Sequence, residues 1–381
     1  MIGDDFLVEA VGRQDTPRGL LSSQKLVVSD CVSVRDHVTG IGIPAWAESK
    51  DKSESDASVV AELMAAGIKL LGKGQVDDFG TSSSGRNSFY NDLRNPVVRK
   101  CRVGGSSSGA AVAVASGKAT VGLGNACNGG VIIPASYCGL YGYRPSPGIF
   151  DSRGIRTLST TFDSVGFLSK SAPVLQQIYE KCTGNRQMLP LSGIKYASGL
   201  FNSLLSEELT VCFQEKLDQL SCELDEDFSI SKLILAQAGK IHSVILGREV
   251  DMEYGQWLDQ HKPELDAETQ GFLDTIRGFS FKDQVDAKKK KVLFSEMLCS
   301  AINSGELLII PSTPGGAPAR KGELDDEFQM NQHRLTAIAE VAGIPQLTVP
   351  FLSDDDAPMG VSLLARPNED RLLFDAATRW F

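Results

Sequence analysis

Short apolar runs recur near both ends of the chain, and helical spacing dominates its middle. Leu26-Val27-Val28 reads as a buried strand running into Ser29-Asp30. From Ser58 to Ala66, the residues Val59, Leu63 and Ala66 fall at helical spacing, and Gly67 supplies the stop. Ile68 to Leu71 then reads as an apolar strand. Between about 170 and 305 the pattern is mainly helical, with stretches at 242–257, 267–276 and 283–302. Strand signals return at 307–310, 347–349 and 360–364. Strands near both ends around a helical middle predict one closed α/β unit, with no linker between separate domains and no internal repeat.

Glycine punctuates this pattern in three places. Gly80 to Pro96 is rich in Gly, Ser and Asn and reads as a long surface loop. Gly104-Gly105-Ser106-Ser107-Ser108-Gly109 opens directly into a run of Ala and Val, whose small side chains allow a helix to lie close to a sheet. The three serines stand where a helix start leaves N–H groups free, so a capping role is expected of them. A second loop, Gly124-Asn125-Ala126-Cys127-Asn128-Gly129-Gly130, precedes Val131-Ile132-Ile133-Pro134-Ala135. Its paired glycines are expected to hold a backbone shape that demands glycine, with an anion-binding nest of N–H groups. Neither loop carries Gly-Lys-Ser/Thr or a GxGxxG following a strand, so nucleotide binding is not expected.

Composition narrows the classes. The 381 residues are 42% apolar and 23% charged, ordinary for a folded protein, and no apolar run approaches the length of a membrane span. The acidic start has neither the layout of a secretory signal nor that of a transit peptide. A formal net charge of −10 argues against nucleic-acid binding, and Lys288 to Lys291 reads as a solvated helix face. The 8 cysteines form no CxxC pair and only 4 histidines are present, at 37, 242, 261 and 333. That spacing suits reduced, buried thiols in a reducing compartment, with no metal site and no cofactor.

The two glycine loops and their surroundings resemble the amidase-signature family. The resemblance is carried by residues 104–111 and by Gly129 through Pro145, including Pro134-Ala135-Ser136-Tyr137-Cys138-Gly139 and Gly142-Tyr143-Arg144-Pro145. Asn95-Pro96, Phe162-Asp163-Ser164-Val165-Gly166, Ile310 to Gly315, Gly343 to Pro350 and Pro358 to Leu364 extend it over nearly the whole chain. Within the family it is similar to plant-type amidases and to the amidase-like domain of the chloroplast outer-envelope import co-receptor. The resemblance implies one large α/β domain, a mixed sheet sandwiched between helical layers, with a signature core at about 68–166 and a helical insert at about 170–305. The cysteine pattern leaves the reducing compartment open between cytosol and organelle, and the resemblance adds the chloroplast envelope or interior to the candidates.

Members of that family hydrolyse amides with a serine nucleophile, a bridging serine on a cis peptide bond and a neutral lysine. The resemblance places the bridging serine at Ser106, the nucleophile at Gly130 and the lysine at Ser29. Two of the three positions therefore lack the required group. The family's loop aspartate falls on Ala126 and the arginine after the nucleophile on Ile132. Ser107, Asn128, Gly129 and Gly130 would form a vestigial oxyanion loop. Cys127 is the one alternative nucleophile in reach; it needs a base, and His37 is a candidate if the fold brings it close. Lys73, in Leu71-Gly72-Lys73-Gly74, is expected to be structural or exposed. The sequence thus predicts a non-catalytic amidase fold serving as scaffold or docking subunit for a protein partner. The alternatives are a pocket that holds a small amide or acid without turnover, and a hydrolase with a non-standard nucleophile. The co-receptor's membrane anchor and chaperone-docking repeats lie outside its amidase-like part and are not recognised in this sequence.

Overall fold

The computed structural model describes residues 5–219, 224–225, 230, 232–322, 324–354 and 357–380. Among these, eleven strands form one sheet. They are β1 (Leu7–Arg13), β2 (Lys25–Ser29), β3 (Lys69–Gly74), β4 (Val121–Asn125), β5 (Tyr141–Arg144) and β6 (Val165–Ser169). The rest are β7 (Gly193–Tyr196), β8 (Leu224–Asp225), β9 (Glu306–Pro311), β10 (Gln346–Asp354) and β11 (Ala357–Leu364). Their order is β1-β3-β2-β4-β6-β5-β10-β11-β9-β7-β8. The sheet is mixed: β2 runs parallel to β3 and β4, and β7 parallel to β8 and β9, whereas β5, β6, β10 and β11 pair only antiparallel.

Strand alternation decides which side chains reach the site. In β2, Leu26 and Val28 enter the main core on one face, while Val27 enters a smaller core on the other. Ser29 follows Val27 to that second face. In β4, Val121 and Leu123 take the main core, and Gly122 and Gly124 face the helix Ser108–Ala115. Every side chain of that helix is buried, and its alanines and Gly109 let the backbone come unusually near. A Cβ on Gly109 would stand 2.8 Å from the carbonyl carbon of Gly74 and overlap Gln75 N.

Helices cover both faces. The main core is closed by Ser58–Ala65, Ala172–Thr183, Glu207–Asp218 and Asp370–Trp380. The opposite face carries Ser108–Ala115 and Ile132–Cys138 against the sheet, with Lys232–His261, Phe281–Ala301 and Asp326–Ala342 packed beyond β9 and β11. This single mixed α/β domain is the architecture expected from the resemblance.

The segment 170–305 is mainly helical and also contributes β7 and β8 to the sheet edge. The helix Asp326–Ala342 was not anticipated; Asp325 caps its start through Phe328 N, and Gly343, at φ 69°, ends it in the left-handed conformation. The loop after Gly80 lies only partly on the surface, for Thr81, Ser82 and Ser84 are buried. Ser82 and Ser83 both donate to Glu268, which draws the loop under the helix Ala267–Ile276.

Candidate functional site

The two glycine loops meet where the helix Ser108–Ala115 starts. Ser107 N donates to Gly130 O at 3.0 Å, which ties one loop to the other. The Gly105–Ser106 peptide bond is cis. A Cβ on Gly130 would stand 2.8 Å from Ser106 Oγ, so these two positions face each other. That same Cβ would stand 3.0 Å from the Cys127 carbonyl oxygen and overlap that of Asn125. Gly130 itself sits at φ −57°, a conformation open to any residue, whereas Gly129 is at φ 72°. Glycine at 129 is thus demanded by backbone shape, and at 130 by crowding.

Ser29 lies behind this pair. A Cβ on Gly124 would stand 2.7 Å from Ser29 Oγ and overlap Ser107 Oγ, which places both hydroxyls beside β4. Both are buried, and neither has a hydrogen-bond partner. The capping expectation fails accordingly: Ser107 is the N-cap but makes no side-chain cap, and Ser108 Oγ donates instead to Gln75 O at 3.2 Å. Lys73 is wholly buried rather than exposed, paired with Asp30 at 3.0 Å and donating to Val38 O. It is committed to holding the turn after β2.

The N–H groups of the second loop are already occupied. Asn128, at φ 55°, and Gly129 turn their N–H groups to one side. Glu340, from the last turn of the helix Asp326–Ala342, accepts both, at 3.0 Å from Asn128 N and 2.9 Å from Gly129 N. The nest is intact, and a carboxylate of the chain itself fills it. His242 Nε2 stands 2.9 Å from Glu340 Oε2, and the His242 ring stacks on Phe162 at 4.5 Å. Burial alone would raise the Glu340 carboxyl. His242, Arg144 and the Gly129 N–H outweigh it and hold that carboxyl below its ordinary value.

Cys127 lies in the same loop, its N–H donating to Asn125 Oδ1 at 3.0 Å. His37 does not approach it; that ring pairs with Glu9 at 2.7 Å, because the turn after β2 carries it toward β1. The histidine near Cys127 is His242, which the pattern of the chain did not single out. Burial, with Glu340 and Asp163 adding to it, pushes the Cys127 thiol well above its ordinary value, the opposite of what an attacking thiolate needs. The 7 described cysteines are free thiols, as expected, and Cys222 lies outside the described residues. Lys289 and Lys290 are exposed, Lys288 pairs with the buried Glu249 at 2.9 Å, and Lys291 is more enclosed, with burial lowering its ammonium pKa.

A cavity of about 480 Å³ opens beside the loop, lined among others by Arg102, Asn128, Ser243, Glu268, His333 and Thr336. His333 is held at about 4, first by burial and then by the charge of His242. A histidine whose folded pKa is depressed contributes stability that is present above about 6.5 and lost as pH falls toward 4. Asp163 works in the opposite sense, since burial pushes its carboxyl up to about 6 despite the donors around it. His333→Gln is therefore expected to reduce the loss of stability between pH 6.5 and 4.5 by about 2 kcal/mol, discounted because the ring borders the cavity. Urea denaturation at both pH values measures it, and an unchanged difference would contradict this assignment.

The family model for Amidase matches residues 9–245. The chain belongs to the amidase family. Among curated amidase-family relatives, "Translocon at the outer membrane of chloroplasts 64" of Pisum sativum is 29% identical over 93% of the chain. The chain spans 65% of that protein's length. "Amidase 1" of Arabidopsis thaliana is 26% identical over 93% of the chain and 91% of its own length. A crystal structure of an amidase superposes with a TM-score of 0.83 at 25% identity, covering 95% of this chain and 84% of the other. The amidase fold is thus shared with enzymes and with a chloroplast translocon protein.

Proposed function

We propose that this amidase-family protein does not hydrolyse amides and serves as a scaffold or docking subunit. The observation that carries this reading is the Glu340 carboxylate on the Asn128 and Gly129 N–H groups. An oxyanion hole works by offering unpaired donors to charge that develops during reaction. Here a permanent anion holds those donors, so a tetrahedral intermediate would have to displace it. Position 130, opposite Ser106, has no side chain to acylate, and Ser29 supplies a hydroxyl where a neutral amine would serve as base. Cys127 is not a substitute, because its thiol is buried and kept protonated.

A docking role needs a surface, and the helix Phe281–Ala301 has one. Phe281, Val285, Val292, Leu293 and Met297 are exposed along it. The first three fall within about 40° of arc around the helix. An apolar row of this kind, rimmed by Lys282, Lys288 and Lys289, suits a protein partner more than open water. The name of the Pisum relative, which speaks of a translocon at the chloroplast outer membrane, agrees with a role in a protein assembly. A chloroplast envelope location is part of this proposal.

A second reading is favoured by the cavity, where Arg86 and Arg102 stand on one wall and could receive a small acid or amide without turnover. Ammonia release from aryl, indolyl and aliphatic amides separates the readings. Wild type and Cys127→Ala are both expected to match the protein-free rate. Turnover by wild type that Cys127→Ala abolishes would establish a thiol-dependent hydrolase and overturn the proposal. A rise in melting temperature with a silent amide or acid would favour the second reading.

A further inference from the structure

The sequence gives no zinc-like spacing, yet the fold assembles a ligand set from three distant places. Cys127 from the second glycine loop, His242 from the helix Lys232–His261 and Glu340 from the helix Asp326–Ala342 place their ligand atoms within 4.8 Å of one another. All three are buried, at 1%, 0% and 2% exposure, where bulk water competes least. We propose that Cys127 Sγ, a ring nitrogen of His242 and a carboxylate oxygen of Glu340 bind a divalent transition-metal ion, with zinc the best fit.

The geometry is close to what the ion needs. Around a tetrahedral zinc, with bonds of about 2.0–2.3 Å, neighbouring ligand atoms stand about 3.3–3.8 Å apart. The 2.9 Å His242–Glu340 contact would open by a few tenths of an ångström, and the widest separation, at most 4.8 Å, would close by up to about 1.5 Å. Each ligand is held in place by something else. Glu340 is fixed by Asn128 N and Gly129 N, Cys127 by its backbone bond to Asn125, and His242 by stacking on Phe162 with His333 edge-on at 4.9 Å. His242 Nδ1 is buried without a partner, so one of its ring nitrogens is unclaimed.

Charge and softness point the same way. A glutamate, a neutral imidazole, a thiolate and a divalent cation sum to zero, so the loaded site carries no net charge of its own in the buried space. The other charges acting on Cys127 are Asp163, Glu249 and Arg144, two carboxylates against one cation. A thiolate, imidazole and carboxylate set suits zinc over magnesium or calcium, which prefer oxygen ligands throughout. Entry is short, because Asn128 and Ser243, each next in sequence to a ligand, line the 480 Å³ cavity. The fourth position would be left to water or to a small anion reaching in from that cavity. The proposal holds whether or not the protein hydrolyses amides.

The test begins with the full chain loaded with zinc, passed into metal-free buffer and assayed by mass spectrometry. About one zinc per chain is expected to remain, against at least a tenfold lower content in Cys127→Ser and His242→Gln. Cobalt(II) titration of wild type should give an intense thiolate-to-cobalt charge-transfer band that equimolar zinc abolishes, and Cys127→Ser should lack it. Circular dichroism checks that the variants fold. If they do not, the wild-type cobalt spectrum and zinc retention still decide the matter. Cys101→Ser is the control that should keep the band. Failure of wild type to retain zinc, a cobalt complex without the sulfur band, or a band that survives in folded Cys127→Ser would overturn the proposal.

Discussion

Replacing Glu340 by alanine is expected to destabilise the metal-free protein by about 3–5 kcal/mol. Glu340 is buried, and its two oxygens accept Asn128 N and Gly129 N while pairing with His242. Removing it leaves His242 Nε2 without its partner and two buried N–H groups unsatisfied. Each such group costs about 1–3 kcal/mol on its own, and the losses overlap because the cavity beside the loop can admit water to some of them. Glu340→Gln keeps an acceptor for one N–H and should cost roughly half as much. Equilibrium urea denaturation measures both. A change below about 1 kcal/mol for the alanine variant would mean that water already shares the network, and the carboxylate would no longer count as the group that fills the nest.

The second large effect concerns an attempt to rebuild the triad. Ser29→Lys combined with Gly130→Ser is expected to destabilise the protein by more than about 3 kcal/mol and to release no ammonia, although it places at 29 and 130 the groups that the family resemblance implies there. Gly130→Ser alone should cost about 1–3 kcal/mol, because its Cβ would overlap the Asn125 carbonyl oxygen and crowd that of Cys127. Backbone atoms are the obstacle, and they cannot rotate aside as a side-chain end can. Ser29→Lys meets a different barrier. Ser29 is fully buried, its hydroxyl beside Ser107 and Gly124, and the Lys73–Asp30 pair lies at the end of the same strand. A longer side chain would have to displace those packed neighbours, and a second ammonium would have to lose its proton or be buried near Lys73. Thermal melting and an ammonia assay on the same preparations read out both parts. A folded double variant that hydrolyses amides would show that the site relaxes easily, and that Glu340 yields the N–H pair when substrate arrives.

Much of the framework was legible along the chain. The strands at 26–28 and 307–310 were readable as apolar runs buried on both faces, and those at 347–349 and 360–364 from the apolar positions that alternate with the buried Thr348 and Ser362. The helix Ser58–Ala65 was readable from its spacing and from Gly67, at φ 101°. The strand β7 was not, since Gly193-Ile194-Lys195-Tyr196 is short and only half its side chains are buried. The helix Asp326–Ala342 hid for another reason. Its inward face includes Gln332, Thr336 and Glu340, all buried, so the apolar period that announces a helix is broken by polar residues that find partners only in the fold.

The site divides along the same line. The sequence by itself determined that Ser106 and Gly130 lie on two glycine loops and that Ser29 ends a buried strand. These are local properties, carried by contiguous residues whose turns and alternation follow from short-range sterics. Only the tertiary structure decided that Glu340 fills the N–H pair, that His242 rather than His37 stands beside Cys127, and that Gly130 is demanded by crowding rather than by φ. Those facts depend on where separate helices pack, and packing is set by the summed burial of many side chains far apart in sequence. No local pattern encodes which single carboxylate that burial will carry to the loop.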